Sequence, residues 1–391
     1  MRYMPNVWKL FAIRFFSSLI PAYVIERLYW EERGMTIEMV VYTEIIYAVT
    51  IVLLELPTGI MADKWGRKPM IVLSAFMGCC EFLILLFATE FWHFALVVFL
   101  AAIGRSASSG AENALLYDSL LSAGEETSFE KYLGHLNALD ISATIIAALC
   151  GSLLASRFHY ELNYGISFVS TLVSLGLTLT LVEPAVKNPT DEDPPIPIRT
   201  YITASVRFFR NHPGVYLVLL SGMVTGSAVN FIDEFWQTYL DRVHIPVLYF
   251  GLVSAAIFML RLPGNLVAHK LKSVFGYSSL LSAIMAGIAL GFLCLSVMKG
   301  ISGLAAILLV CLMAGVMEPL AAGYLQHRID SSMRATLGSF QSLGENAVLS
   351  VIGIGFGYFS SKLDIFGGFG FIACICCLFL IYFSYASRKH I

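Results

Sequence analysis

The stretch Gly59-Ile60-Met61-Ala62-Asp63-Lys64-Trp65-Gly66-Arg67-Lys68 is the most informative part of this 391-residue chain. It is a short polar segment between two long apolar runs, and it places one acid, two glycines and several basic side chains at defined spacings. Glycine allows a tight turn and a close approach between helices, and an acidic side chain is stabilised near the N-terminal end of a helix. The segment therefore predicts a tight, charged turn between two packed helices.

Apolar runs like the two beside this turn recur along the whole chain. Apolar residues make up 58% of the sequence and charged residues 13%, whereas a typical soluble domain has about 25% charged residues. The charged residues mostly bound apolar runs of about 20 residues, the length that crosses a bilayer as a helix. The composition therefore predicts an all-α membrane protein, and a net charge of −2 gives no sign of a nucleic-acid partner.

About twelve transmembrane helices are predicted, because lipid forces backbone polar groups to pair within each segment. Their expected bounds are 8–30, 36–58, 69–89, 92–117, 131–156, 163–182, 214–240, 247–268, 277–298, 301–325, 335–360 and 364–386. A polar, proline-rich stretch after the sixth span is an exposed connector. We therefore expect a six-helix bundle at 1–183, a cytoplasmic linker at 184–213 with a short amphipathic helix from Thr200 to Arg210, and a second six-helix bundle at 214–391.

Orientation follows from the distribution of the 25 Lys and Arg residues, which favour the cytoplasmic side. With both termini in the cytoplasm, most of these Lys and Arg residues fall on the cytoplasmic side of the membrane. Arg14, Arg105 and Arg261 lie within spans. The six placed outside are Arg27, Arg33, Arg157, Arg242, Lys299 and Lys362. We expect a multi-pass protein of the inner, or plasma, membrane, without a cleaved signal peptide because the N-terminus runs directly into a full-length span.

The two predicted halves resemble each other. Equivalent residues recur at nearly the same separation, namely Leu56-Pro57 with Leu262-Pro263, Leu133-Gly134 with Leu337-Gly338, and Gly151 with Gly355. A constant separation across several helices indicates a duplicated six-helix unit. Parallel repeats of this kind build secondary transporters, with the solute site between them near the middle of the bilayer.

The ten-residue turn resembles the signature of the major facilitator superfamily, Gly-x-x-x-Asp-(Arg/Lys)-x-Gly-Arg-(Arg/Lys), at every defined position. The resemblance implies that Asp63 sits at the start of the eleventh helix, near Ala335 and Thr336, and that Arg67 pairs with an acid at the end of the fourth helix. Together these contacts would latch the cytoplasmic ends of the helices. The expected conformational motif is Gly59, Asp63, Lys64, Gly66, Arg67, Lys68 and Asp118. The second half keeps basic residues at His269, Lys270 and Lys272 but has no matching acid.

The fourth helix carries a weaker resemblance. Arg105 is followed by Gly110 five residues on, whereas the superfamily's second motif places its glycine four residues on. The run from Ser109 to Ser119 looks like a bacterial subgroup that contains many presumed drug or metabolite exporters. The Gly-Pro pair of the antiporter motif is absent between Asn137 and Leu154, which weakens the case for proton–drug antiport.

Ionisable residues within spans are functional candidates, because each costs at least about 2.5–3.5 kcal/mol on insertion scales. The predicted proton-coupling and substrate cavity consists of Glu26, Arg105, Glu112, Arg14, Glu318, Asp140, Arg261 and Glu345. Glu44 is a further flanking acid, whereas Glu55, Asp233 and Glu234 lie close to interfaces and are weaker candidates. Glu81 lies on the third helix, which the resemblance makes peripheral.

Arg105 and Glu112 are seven residues apart, so a continuous helix would place them on one face. We expect Glu112 and Glu26 to be the protonatable groups and Arg105 to be their modulator or an anion contact. Structural ion pairing is the alternative, with Arg105 neutralising Glu26 or Glu112 and Arg261 neutralising Glu345.

The leading hypothesis is a proton-driven secondary transporter that exports a small amphiphilic solute. The alternative is a proton- or sodium-coupled importer of a sugar, organic acid or metal chelate. Neither an enzyme nor a channel is expected, because no phosphate-binding loop, metalloprotease motif, nucleophile elbow or pore-loop filter is present. We expect no cofactor, no metal site, and a monomer whose partners are its solute, the coupling ion and the bilayer. The eight cysteines lie in apolar runs and indicate packing rather than disulfides or metal binding.

Overall fold

The computed structural model describes residues 4–184, 212–326 and 334–390, and these residues form helices joined by short turns. The predicted amphipathic helix from Thr200 to Arg210 and nearly all of the linker lie outside the described residues. The predicted bounds of the two bundles and the linker therefore stay a prediction.

Helices of the first half follow one another with short connections. They are α1 (Met4–Ser18), α2 (Glu26–Glu32), α3 (Ile37–Trp65), α4 (Arg67–Phe87), α5 (Phe91–Ser108), α6 (Ala111–Leu121), α7 (Phe129–Ala155) and α8 (Tyr160–Leu179). The second half contains α9 (Pro213–Arg242), α10 (Phe250–Val274), α11 (Tyr277–Val297), α12 (Gly303–Gln326) and α13 (Arg334–His390). Short 3-10 turns span Pro21–Ile25, Glu126–Ser128 and Val247–Tyr249.

Ten helical segments of the described chain are long and apolar enough to cross a membrane. Helix α10 adds an apolar stretch, Val247–Arg261, that is shorter within the described residues. Helix α13 has 57 residues and breaks at Leu363 and Asp364, so it supplies two crossings rather than one. The all-α architecture of about twelve transmembrane helices is confirmed.

Two predicted spans are not continuous helices. The first breaks after Ser18 and continues through the 3-10 turn that starts at Pro21, because proline has no N–H for a helical hydrogen bond. The fourth breaks at Gly110, whose φ of +75° lies in the left-handed region that glycine adopts at low cost. By contrast, Pro57, Pro263 and Pro319 lie inside helices, as transmembrane helices commonly allow.

The described chain forms two compact units, each with its own helix packing. Among the described residues, one comprises 4–35, 43–184 and 246–255, and the other comprises 36–42, 212–245, 256–326 and 334–390. In the first, α1 packs against α7 and α8, and α4 packs against α5 and α8. In the second, α9 and α11 both pack against α12 and α13.

One matched pair of glycines, Gly151 and Gly355, lies close to neighbouring residues, whereas Gly134 has open space around it. A side chain at Gly151 would overlap the carbonyl oxygen of Pro21, and one at Gly355 would overlap the ring of Phe371. Gly151 therefore excludes larger residues because it meets backbone atoms, whereas a side chain at Gly355 would require the Phe371 ring to shift.

Candidate functional site

A cavity of about 160 Å³ lies among the helices of the first half. It is lined by Tyr23 from the first span, Glu81 from α4, Arg105 from α5 and Glu112 from α6, together with apolar and hydroxyl side chains. We call it the N-terminal cavity. Arg105 and Glu112 thus share one cavity, although the continuous helix that the sequence analysis assumed between them was wrong, because the fourth span breaks at Gly110.

Glu112 pairs with Arg14 rather than with Arg105. The Arg14 Nη2 atom lies 2.5 Å from Glu112 Oε2, with about a quarter of each side chain exposed (25% and 21%). Glu112 also lies in the first turn of α6, where the helix dipole favours a negative charge. The pair joins the first span to the fourth through a charge-assisted hydrogen bond, which is stronger than a neutral one.

Two further predicted acids of the first half also have polar partners. Ser18 donates its hydroxyl to the carboxylate of Asp140 on α7. Glu26 lies 4.0 Å from the Arg27 guanidinium, whose other end contacts Glu44 at 3.1 Å. Arg27, which the sequence analysis placed on the outer side, is only 6% exposed. It lies within the first span, stacked on Trp30 at 4.7 Å.

The Arg105 side chain forms no hydrogen bond or ion pair with any residue that the structure describes. The alternative that Arg105 neutralises Glu26 or Glu112 by direct contact is therefore not seen. Glu81 was treated as peripheral in the sequence analysis, yet it lines the N-terminal cavity. The sequence did contain a feature that marks Glu81 as a functional candidate, because it is the single charged residue in the interior of its apolar span.

A second cavity, of about 600 Å³, lies among helices of the second half. We call it the C-terminal cavity, and its charged lining consists of Asp233, Arg261 and Glu345. Arg261 Nη2 lies 2.5 Å from Asp233 Oδ1, so its ion-pair partner is Asp233 rather than the expected Glu345. Asp233 was underrated because it lies near the predicted end of its span. The Glu318 side chain lies outside the described residues.

The C-terminal cavity has both polar and aliphatic side chains but no aromatic side chain among its described lining residues. Two carboxamides, Asn230 and Asn346, and two hydroxyls, Thr225 and Ser227, face it beside the charged groups. The Asn230 Nδ2 atom and the Arg261 Nε atom have no hydrogen-bond partner within the described structure. Such a lining suits a ligand with several hydrogen-bonding groups.

The signature turn is a one-residue connection between α3 and α4. Gly66 has a φ of +100°, and the next residue, Arg67, begins α4. Arg67 Nε lies 3.0 Å from Asp118 Oδ2, so the expected contact is present, while its role in transport stays a prediction. Lys68 Nζ donates to the carbonyl of Leu179 at 3.0 Å. The Asp63 side chain and its expected contact near Ala335 and Thr336 lie outside the described residues, as does the side chain of His269.

Glu183 contacts this turn from a distant part of the chain, and this contact was not predicted from the sequence. Its two carboxylate oxygens accept hydrogen bonds from the backbone N–H groups of Arg67 and Lys68, at 2.8 and 2.7 Å. An acid in this position satisfies N–H groups that have no partner within the helix and complements the helix dipole. No spacing rule could reveal this contact, because Glu183 is more than a hundred residues away in the chain.

Both cavities contain or adjoin an ion pair within membrane-spanning helices, Arg14 with Glu112 and Arg261 with Asp233. Charge is costly inside a membrane, so the loss of either partner would leave an unfavourable unpaired charge. Within the described residues, no group of three or more His, Cys, Asp or Glu side chains is placed to hold a metal ion.

Comparisons with known proteins agree with this picture. The family model described as Major Facilitator Superfamily matches residues 10–354. The chain is 23% identical over 349 residues to the uncharacterised MFS-type transporter YxaM of Bacillus subtilis (strain 168), covering 85% of this chain and 84% of that one. It is 23% identical over 317 residues to the class H tetracycline resistance protein of Pasteurella multocida, covering 76% and 74%.

Among solved structures, a point mutant of the nucleoside transporter NupG superposes with a TM-score of 0.82 at 14% identity, covering 97% of this chain and 99% of that one. At that identity the likeness concerns the fold. The fold, the signature turn and the family match over most of the chain lead to one conclusion: this protein belongs to the major facilitator superfamily and is a secondary transporter of a small solute.

Proposed function

We propose that this transporter couples the export of a small amphiphilic solute to the entry of protons by alternating access. It acts in the plasma membrane as a monomer, with both termini in the cytoplasm. The observation that carries the proposal is the ion pair between Arg14 and Glu112 in the first half. Protonation of Glu112 would remove the charge that holds Arg14, and the guanidinium would then be free to contact solute or another acid.

Other predicted residues have supporting roles in this mechanism. Asp140, held by Ser18, keeps negative charge near the pair, and Glu26 lies beside Arg27. Arg105 modulates Glu112 across the N-terminal cavity. Arg67 and Asp118 belong to the cytoplasmic latch, in which Asp63 would be the third member. Export is favoured by the similarity to a protein that is named for tetracycline resistance.

The alternative is proton- or sodium-coupled import of a sugar, organic acid or metal chelate. The observation that favours it is the lining of the C-terminal cavity, where Asn230 and Asn346 lie beside Asp233, Arg261 and Glu345. Carboxamides and carboxylates bind hydroxyl-rich solutes through hydrogen bonds, whereas an amphiphilic solute gains more from aromatic and aliphatic surface.

The test uses purified protein in liposomes with a trapped pH dye and an imposed proton gradient. Lipophilic cations, sugars, organic acids and metal chelates are added outside in turn. If solute enters in exchange for protons, the interior becomes more alkaline, as the proposal requires. Acidification of the interior would establish co-transport instead and support the alternative.

Protein-free vesicles and vesicles with Glu112→Gln protein serve as controls. The Glu112→Gln variant keeps the shape of the side chain but cannot exchange a proton, so its solute-dependent pH signal should vanish. Silence of the wild-type protein across the panel, in vesicles that hold their gradient, would contradict proton coupling.

A further inference from the structure

Glu81 lies in the interior of α4, with apolar side chains along most of the helix on both sides. Its side chain is partly buried and lines the N-terminal cavity. The roles proposed above do not use this carboxyl. A charged residue in this position is costly in a membrane, so its presence calls for a function or a partner.

Partners are visible for other acids of the same half. Glu112 pairs with Arg14, Glu44 pairs with Arg27, and Asp140 accepts a hydrogen bond from Ser18. The Glu81 carboxyl forms no hydrogen bond or ion pair with any described residue. An ionised carboxylate without a partner is strongly disfavoured in apolar surroundings, and a proton removes that cost.

The titratable neighbours of Glu81 come from several helices. Glu26, Tyr23 and Tyr47 interact with it electrostatically, and Glu112 lines the same cavity. Arg105 is the one basic side chain among the described residues that line this cavity, and it also lacks a direct partner there. Arg105 interacts electrostatically with Glu112 and Tyr47 in this arrangement, so it has to move within the cavity to pair with Glu81.

The second half shows that the fold does not need an acid at this place. The corresponding third helix of that half, α11, also has 21 residues and contains no charged side chain at all. A helix in this position can therefore be built from apolar, small and hydroxyl residues alone. The carboxyl of Glu81 has to be explained by what it does in the cavity.

We propose that Glu81 is a second proton-binding carboxyl of the N-terminal cavity and that Arg105 is the counter-ion of its ionised form. When Glu81 takes up a proton from water, Arg105 is released into the cavity and can contact Glu112 or an anionic group of the solute. When the proton leaves, Arg105 pairs with Glu81. This inference rests on the proposed proton coupling, but it can be tested without knowing the solute.

The test is infrared difference spectroscopy of the full-length protein in lipid films, titrated from acid to alkaline pH in H₂O and in D₂O. Protonated carboxyl groups give isotope-sensitive C=O bands that vanish on ionisation. The Glu81→Gln variant should lack one such band of the wild-type protein. Glu130→Gln, which removes an exposed carboxyl at the start of α7, should leave that band unchanged.

Arg105 is tested as a positioning residue in the same titration. Without the guanidinium, the ionised form of Glu81 loses its counter-ion, so in Arg105→Gln the band should persist to higher pH. Arg105→Lys should restore most of the wild-type titration because it keeps the charge. If Arg105→Gln does not move the band that Glu81→Gln removes, Arg105 is not the counter-ion.

Unchanged carboxyl bands in Glu81→Gln would overturn the inference, and Glu81→Met repeats the test if the glutamine variant fails to fold. The liposome assay separates this result from the proposed function. Loss of the band together with silent wild-type liposomes would support the Glu81 site and contradict the proposed coupling. An unchanged band together with solute-driven proton movement would support the coupling and overturn the Glu81 site.

Discussion

The two halves use charge in the same way at one end of their helices and differently in their interior. In the first half, Arg33 at the end of the first span lies 3.1 Å from Glu161 at the start of the sixth span. In the second half, Arg242 at the end of the seventh span lies 2.9 Å from Asp364 at the start of the twelfth span. This ion pair joins equivalent helix ends, so the duplicated unit has kept it.

The interior ion pairs of the two halves differ in which helix carries the acid and which carries the base. Between the first two spans of the first half, the base, Arg27, is on the earlier helix and the acid, Glu44, on the later one. Between the first two spans of the second half, the acid, Asp233, is on the earlier helix and the base, Arg261, on the later one. The pair of Arg14 and Glu112 is found in the first half. Interior charges have diverged between the repeats, which is expected where the two halves have different tasks.

The largest effect is expected at the interior pairs. Glu112→Gln should reduce accumulative transport to background and remove its dependence on pH, because the proton-exchanging group is lost. Asp233→Asn should keep the pH dependence and weaken solute binding about tenfold, since a charge-assisted hydrogen bond contributes about 1.5–3 kcal/mol. The measurement is solute uptake into vesicles at a series of pH values. Equal loss of pH dependence in both variants would contradict the predicted functional difference between the two halves.

The signature turn should give the next largest effect. Asp118→Asn removes the carboxylate that pairs with Arg67, so the transport rate should fall about tenfold, the equivalent of about 1.4 kcal/mol, with expression intact. In the degraded turn of the second half, Lys272→Ala loses a contact with the Tyr277 ring, at 4.8 Å, and should keep the rate within about twofold. The measurement is the initial transport rate, normalised to the amount of folded protein. A normal rate in Asp118→Asn would contradict a role of the latch in the mechanism.

The glycines that precede α4 and α11 offer a matched test of stability. Gly66 has a φ of +100°, and an added Cβ would lie 3.0 Å from the Glu183 carboxyl carbon, so Gly66→Ala should destabilise the protein by more than about 1 kcal/mol. Gly276 has a φ of −65° with open space around it but is the N-cap of α11, where alanine is less favourable than glycine, so Gly276→Ala should change stability by less than about 1 kcal/mol. Thermal unfolding in detergent measures both, and similar melting temperatures for the two variants would contradict the difference.

The smallest effect is expected at the matched helix-end pairs. Glu161→Gln and Asp364→Asn each remove one charge from a pair whose acid is about half solvent-exposed, at 53% and 40%. Exposed pairs contribute about 0–1 kcal/mol, so both variants should unfold close to the wild-type temperature. A large loss in one half only would show that the two pairs are not equivalent.

Much of the fold was accessible from the sequence. The apolar runs, the turn from Gly59 to Lys68 and the break near Asp364 follow from composition and local pattern, and the family and the all-helical architecture are confirmed. The expected contact of Arg67 with Asp118 is also present. These features depend on residues close in the chain or on a motif with a strict spacing.

Less of the candidate site could be predicted from the sequence. Eight ionisable residues were proposed, but the partner of Glu112 is Arg14 and the partner of Arg261 is Asp233, and neither pairing was expected. The contacts of Arg27 with Glu44 and Trp30 were not predicted either. Composition shows that a charge lies in a span, but it does not show which side chain on another helix it meets.

By itself, the sequence determined the number of crossings, the duplicated unit and the signature turn, because bilayer thickness and backbone hydrogen bonding act on each segment separately. Only the tertiary structure decided which charges meet. The breaks at Pro21 and Gly110 shift the helix faces that a continuous helix would present. The long-range contact of Glu183 with the start of α4 likewise depends on how the chain packs. Partner choice is a property of packed helix faces, and no single segment encodes it.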